Sequence, residues 1–294
     1  MTIKHLVFSG GGPIMLPILA AIQHLEKADF IQRQNIESIY GTSAGAIIGI
    51  LYCLNYEWET INDYLIKRPW QDVFPIKVQA IFDSYAKKGI FDIKTVEKCF
   101  KPLFDAKDIP MNISLADFFT LTKIELHFFA FEINQYIIED ISYLTHPHMT
   151  LMTALQMTCA IPVLLSPVCI EDKCYIDGGI VCNYPLNKCI ESGKTPDEIL
   201  GFKNKYTEQT DNIINNDSNM LDFLTNFLFK MIQSISTSKN QQKIKNEVLC
   251  DTSYLSIEIL KNVLSSSDVR KTLFNEGQTF AENFLAGVKL QDSV

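Results

Sequence analysis

Short, nearly unbroken apolar runs alternate along this chain with longer segments whose apolar residues recur every three or four positions. The first pattern predicts buried strands and the second amphipathic helices. Residues 3–9 form the first such run, and Gly10-Gly11-Gly12 follow at once. Ile14, Ile18, Ala21, Ile22 and Leu25 then mark one face of a helix. The order repeats with a strand at 36–40, a buried helix at 44–54 and a further helix at 58–66. Residues 91–100 predict an amphipathic helix, and 124–133 and 136–141 predict two strands with a turn at Asn134-Gln135. A helix at 150–160 is stopped by Pro162. Two short strands, 168–170 and 174–176, flank Glu171-Asp172-Lys173, and a helix at 185–191 leads to a strand at 198–202.

Strands separated by helices predict an α/β fold with a largely parallel sheet covered on both faces, the pair before Asp177 being an antiparallel departure. No Pro-, Gly- or Ser-rich linker divides the 294 residues, so a single domain over 1–294 is expected. Within it, 67–110 is more polar and irregular and is the expected cap or lid of a cleft. Residues 203–219 are polar and rich in asparagine, which predicts a mobile surface loop. In 220–235, Leu221, Leu224, Phe227, Leu228, Met231 and Ile235 share one helical stripe. That stripe is expected to pack on the sheet, with a lipid-facing helix as the alternative. A last strand at 248–250 and helices at 256–264 and 267–285 complete the chain.

Charge narrows the partners. A net charge of -8 argues against nucleic acid and against a polybasic grip on anionic lipid, so any membrane contact would have to be apolar. No signal peptide and no apolar run of roughly eighteen residues is evident, which predicts a soluble, intracellular, cytoplasmic protein. The eight cysteines contain no CxxC pair and are expected to be reduced, mostly buried thiols. With no carboxylate-rich loop of the DxDxDG kind, neither calcium nor any other cofactor is expected.

Three places carry candidate chemistry. In Gly41-Thr42-Ser43-Ala44-Gly45 a serine lies between two glycines at a strand-to-helix junction, the GxSxG pattern of a nucleophile elbow, where small flanking residues let two backbones pass closely. The helix amides that follow, beginning with Ala44, point where negative charge would develop on an attacked carbonyl. Gly10, Gly11 and Gly12 could supply further N–H groups, whereas Pro13 has none. The third place is Asp177, followed by Gly178-Gly179 at the end of a short strand. A serine needs a base, and the usual one is histidine. The histidines are 5, 24, 127, 146 and 148, so none follows Asp177 as an α/β-hydrolase order would require. Asp177 is then the best remaining base for Ser43, provided the site is dry and prearranged.

The glycine turn 10–12, the Gly41–Gly45 elbow and Asp177-Gly178-Gly179 together resemble the three signatures of patatin-like phospholipases. Residues 154–162 with Pro167, Asn183-Tyr184-Pro185, and Leu273 with Gly277 extend the resemblance over nearly the whole chain. It implies a three-layer α/β/α fold with a mostly parallel sheet, and hydrolysis of membrane phospholipid or lysophospholipid acyl esters at transient peripheral contacts. It also implies Ser43 as nucleophile, Asp177 as base and the glycine turn as oxyanion hole. One departure stands out: Ile14 and Met15 occupy positions where the family usually has a basic residue and a glycine. A lipid-binding protein that keeps the fold without turnover, and a soluble esterase or thioesterase, are the competing readings.

Overall fold

The computed structural model describes residues 2–75, 84–206, 214–216, 218–236, 242–252 and 256–291. The chain opens with β1 (His5–Phe8), α1 (Met15–Lys27), β2 (Ser38–Gly41), α2 (Ala44–Cys53), α3 (Trp58–Lys67) and α4 (Trp70–Val73). It continues through β3 (Gly89–Phe91), α5 (Ile93–Asp105), α6 (Leu115–Thr122), β4 (Glu125–Glu132), β5 (Ile137–Ile141) and α7 (Leu151–Cys159). Then come β6 (Val163–Leu165), β7 (Val168–Ile170), β8 (Lys173–Asp177), α8 (Leu186–Glu191) and β9 (Ile199–Tyr206). The last elements are α9 (Met220–Ser236), β10 (Glu247–Thr252), α10 (Ile257–Ser265) and α11 (Ser267–Gln291).

The main sheet runs β10-β9-β1-β2-β4-β8-β7, with β5 also on β4. Pairs from β10 to β4 are parallel, while β8 is antiparallel to β4 and to β7. Alternation along each strand sends side chains to two unequal layers. Leu6, Phe8, Ile39, Phe128 and Ala130 join the large core with α1, α2, α5 and α7, whereas Val7, Tyr40 and Phe129 pack with Leu186 and Cys189 of α8 on the other face. This is a three-layer α/β/α sandwich with a thick layer on one side and a thin one on the other.

The register on β4 positions the site. Phe128 pairs with Gly41 of β2 on one side and Ile141 of β5 on the other. Ala130 pairs with Asp177 of β8 on one side and Glu139 of β5 on the other. β2 and β8 therefore lie along the same side of β4, run toward each other, and end two residues apart.

Several features differ from the sequence expectation. β3 and β6 form a separate two-stranded parallel sheet, because residues 74 positions apart in sequence meet there, which local periodicity does not register. β9 runs to Tyr206, through the first residues of the expected polar loop: Asn204 turns inward while Lys205 faces solvent, so a polar run still alternates as a strand. Most of the rest of that loop lies outside the described residues. From the expected cap, α5 buries Val96, Phe100, Leu103 and Phe104 in the main core. Cys169 and Cys174 sit directly opposite in the β7–β8 hairpin and form a disulfide, contrary to the expectation of reduced thiols. The other six cysteines are free. No helix among the described residues is long and apolar enough to cross a membrane.

Candidate active site

Ser43 caps the N-terminus of α2 with φ 54° and ψ −119°, a region a residue with a Cβ rarely adopts. Such a backbone costs roughly 1–3 kcal/mol and survives only where surroundings impose it. Gly41 and Gly45 are among those surroundings. A Cβ on Gly41 would meet the Gly45 backbone at 2.5 Å, and one on Gly45 would meet the Phe8 carbonyl oxygen at 2.5 Å. The turn is also held from α7: the Ser43 N–H donates to Thr158 Oγ1 at 3.0 Å, and that hydroxyl donates to the Phe129 carbonyl at 2.6 Å. Thr42 Oγ1 donates to the Cys182 carbonyl at 2.8 Å. Thr158→Val removes the acceptor for a buried N–H and is expected to cost about 1–3 kcal/mol. A denaturant melt beside Thr158→Ser checks this, since serine retains the hydroxyl and should restore most of the loss.

Asp177 ends β8 and is 2% exposed. Its Oδ1 accepts from the Gly179 N–H at 2.7 Å, while Oδ2 is buried without a hydrogen-bond partner. Burial pushes the carboxyl up to about 6, against the Ser43 hydroxyl and the Gly179 N–H, which both favour the ionised form. The Ser43 hydroxyl thus lies close enough to influence the carboxylate but does not satisfy Oδ2. Catalytic hydrogen bonds are often loose before substrate binds. Cys159 faces the same pair; burial, reinforced by Asp177, pushes its thiol well above the ordinary value and keeps it protonated.

Ser43 and Asp177 line one pocket together with Gly11 and Gly12. Gly10 touches the elbow, a Cβ there falling 3.1 Å from Ser43 Cβ, but its N–H is engaged by the Asn183 carbonyl at 3.0 Å. In α2, the Gly45 and Ala46 N–H groups bond the Thr42 and Ser43 carbonyls. This leaves the Gly11, Gly12 and Ala44 amides as the available donors around Ser43. None of the five histidines lines the pocket. His127 is on the thin-layer face, stacked on Tyr40 with its Nδ1 2.8 Å from Asp140; burial lowers its pKa, but Asp140 and Glu125 more than offset that. Among the described residues no three His, Cys, Asp or Glu side chains gather as metal ligands would.

The opposite wall is α9, through Asn226, Phe229, Lys230, Ile232 and Gln233, and none of the described lining residues comes from 67–110. The face that α9 turns inward is not the predicted stripe. Thr225 and Phe229 are buried, whereas Met220, Phe223 and Phe227 are exposed, Phe227 at 51%. Apolar residues occupy most sides of this helix, so spacing does not select the buried one.

Sequence reasoning missed Asn204 and Lys230, and assigned no role to Thr158 or Asn183. Only Asn204 carried a local signal, because asparagine is depleted inside strands.

Comparisons with known proteins agree with this architecture. The family model for patatin-like phospholipase matches residues 6–190. "Probable lipid hydrolase 463L" of Invertebrate iridescent virus 6 is 27% identical over 190 residues, covering 64% of this chain and 63% of that protein. "Uncharacterized protein R571" of Acanthamoeba polyphaga mimivirus is 24% identical over 184 residues, covering 63% and 60%. The chain thus spans less than two thirds of the length of these relatives. The crystal structure of VipD from Legionella pneumophila superposes with a TM-score of 0.54 at 16% identity, over 97% of this chain and 67% of that one, a likeness of fold. With the matched span covering most of the chain, from β1 to α8, this protein belongs to the patatin-like phospholipase family.

Proposed function

We propose that this chain hydrolyses acyl esters of membrane phospholipids or lysophospholipids, with Ser43 as nucleophile and Asp177 as its base, independently of calcium. The carrying observation is that a strained serine and a buried carboxylate with one unpaired oxygen line the same pocket beside Gly11 and Gly12. Asp177 takes the Ser43 Oγ proton as Oγ bonds to the ester carbon, and the carbonyl electron pair moves onto oxygen. The Ala44, Gly11 and Gly12 N–H groups stabilise that oxyanion. Its collapse breaks the bond to the leaving alkoxide, which takes the proton from Asp177. Water then repeats the sequence on acyl-Ser43 and releases the fatty acid.

Family membership supports an ester of a lipid, as does the name of the viral relative. The chain acts as one domain, with α9 covering the pocket. Met220, Phe223 and Phe227 on the outer side of that helix make the transient apolar contact with the bilayer that a net charge of -8 requires.

Fatty-acid release from phospholipid vesicles, measured from pH 4.5 to 8 with a calcium chelator present, tests this reading. Because the base must be ionised, kcat/KM is expected to rise through an inflection about 6 and level off above it. A fluorophosphonate probe should label Ser43. Absence of labelling in folded protein would favour lipid binding without turnover, and preference for short-chain esters over vesicles would favour a soluble esterase.

A further inference from the structure

Among the polar groups lining the pocket that the acyl-transfer steps do not use are Lys230 and Asn204. Lys230 of α9 is the one cationic side chain among the described lining residues, and it has no carboxylate partner among them. The glycine turn brings no cation of its own, since Pro13, Ile14 and Met15 follow it. Asn204 of β9 is 9% exposed, and its Nδ2 donates to the Gly10 carbonyl at 2.6 Å. That bond fixes which end of the amide is the donor and leaves Oδ1 buried with no partner. A buried acceptor of this kind costs about 1–3 kcal/mol unless a donor reaches it. Asn183 Nδ2 directs its two hydrogens to the Gly10 carbonyl at 3.3 Å and the Tyr206 hydroxyl at 3.4 Å, and has none left for that acceptor.

Resting on the hydrolase reading above, we propose that the space between the glycine turn and α9 is a headgroup subsite for a phosphodiester that carries an N–H or O–H donor. Lys230 meets the phosphate charge, and Asn204 Oδ1 accepts from the headgroup donor. The subsite therefore favours ethanolamine over choline: both headgroups are cationic, but only the ammonium has hydrogens to give. Neutral diacylglycerol satisfies neither group. The two preferences have separate origins and can be lost separately.

The parent protein is assayed in mixed detergent micelles on phosphatidylethanolamine, phosphatidylcholine and diacylglycerol with the same acyl chains. The expected order of kcat/KM is ethanolamine, then choline, then diacylglycerol, with steps of about tenfold each, the worth of one good hydrogen bond or ion contact. Lys230→Met should shrink the ratio of phospholipid to diacylglycerol hydrolysis about tenfold, and Lys230→Arg should restore it. Equal rates on ethanolamine and choline lipids in the parent would overturn the role of Asn204. An unchanged phospholipid-to-diacylglycerol ratio in Lys230→Met would overturn that of Lys230. Glycerophosphoethanolamine, added as a competitor, should inhibit more strongly than inorganic phosphate; equal inhibition would mark a free-phosphate site and overturn the headgroup assignment. A folded parent that hydrolyses none of the three lipids would sink the hydrolase reading and the subsite together, whereas an active parent with a flat headgroup profile sinks only the subsite.

Discussion

Asp177→Asn is expected to lower fatty-acid release by about 10²–10⁴-fold, the range for loss of a positioned general base, while making the fold more stable at pH 8. The two signs come from one cause. Burial raises the folded-state carboxyl from 3.8 to about 6, so the ionised form is disfavoured where it sits. A carboxylate with a raised folded pKa lowers stability fully above about 6, and that loss fades as pH falls toward 3.8, where both states bind the proton. The shift corresponds to roughly 2–3 kcal/mol at pH 8, and the neutral amide removes it. Thermal melts of the parent and Asp177→Asn at pH 8 and pH 4 check the stability half: the gap should be wide at the higher pH and nearly closed at the lower. Ser43→Ala serves as the comparison, with release down by on the order of a millionfold but no gap of this pH dependence. A variant as active as the parent, or a gap that widens toward low pH, would contradict the role given to Asp177.

Gly45→Ala should disable the elbow while Gly49→Ala, one turn further along α2, should be tolerated. The added Cβ at 45 would stand 2.5 Å from the Phe8 carbonyl oxygen and 2.9 Å from Phe8 Cβ. Phe8 is a paired residue of β1, bonded to both β2 and β9, so its backbone cannot move aside cheaply. Overpacking of this kind costs typically 1–3 kcal/mol. The shift it forces on Ser43 adds a rate loss, since about 1 Å of misplacement can cost a hundredfold. At Gly49 the new methyl meets only Ile39 Cγ2 at 3.2 Å and Leu126 Cδ2 at 3.3 Å, side-chain atoms that can give by a few tenths of an ångström. There the gain in helix propensity, up to about 1 kcal/mol, offsets the crowding. Paired measurements of melting temperature and vesicle hydrolysis for the two variants test the contrast, and equal damage from both would refute it.

Much of the fold was legible because its signals are local. The strand and glycine turn at 5–12, the helix that follows, the elbow around Ser43 and the strand ending at Asp177 each lie within a few residues of the feature that marks them. The absence of a histidine after Asp177 also left a carboxylate as the candidate base without any structure. What was not legible depends on partners far away. The β3–β6 pair, the inward face of α9 and the hold of Thr158 on the Ser43 N–H, 115 residues distant, have no local periodicity to announce them.

The amino-acid order alone singled out the candidate residues for chemistry, because glycines at fixed offsets and a serine between them restrict the backbone wherever they occur. Only the tertiary structure decided that β2 and β8 approach each other along one side of β4 and bring Ser43 and Asp177 into a common pocket. Strand neighbours are chosen by the burial of whole faces, a sum over the entire core that no short stretch of residues contains. The same sum turned Asn204 inward beside that pocket, left Lys230 exposed at its edge, and sealed the Asp177 carboxylate away from water.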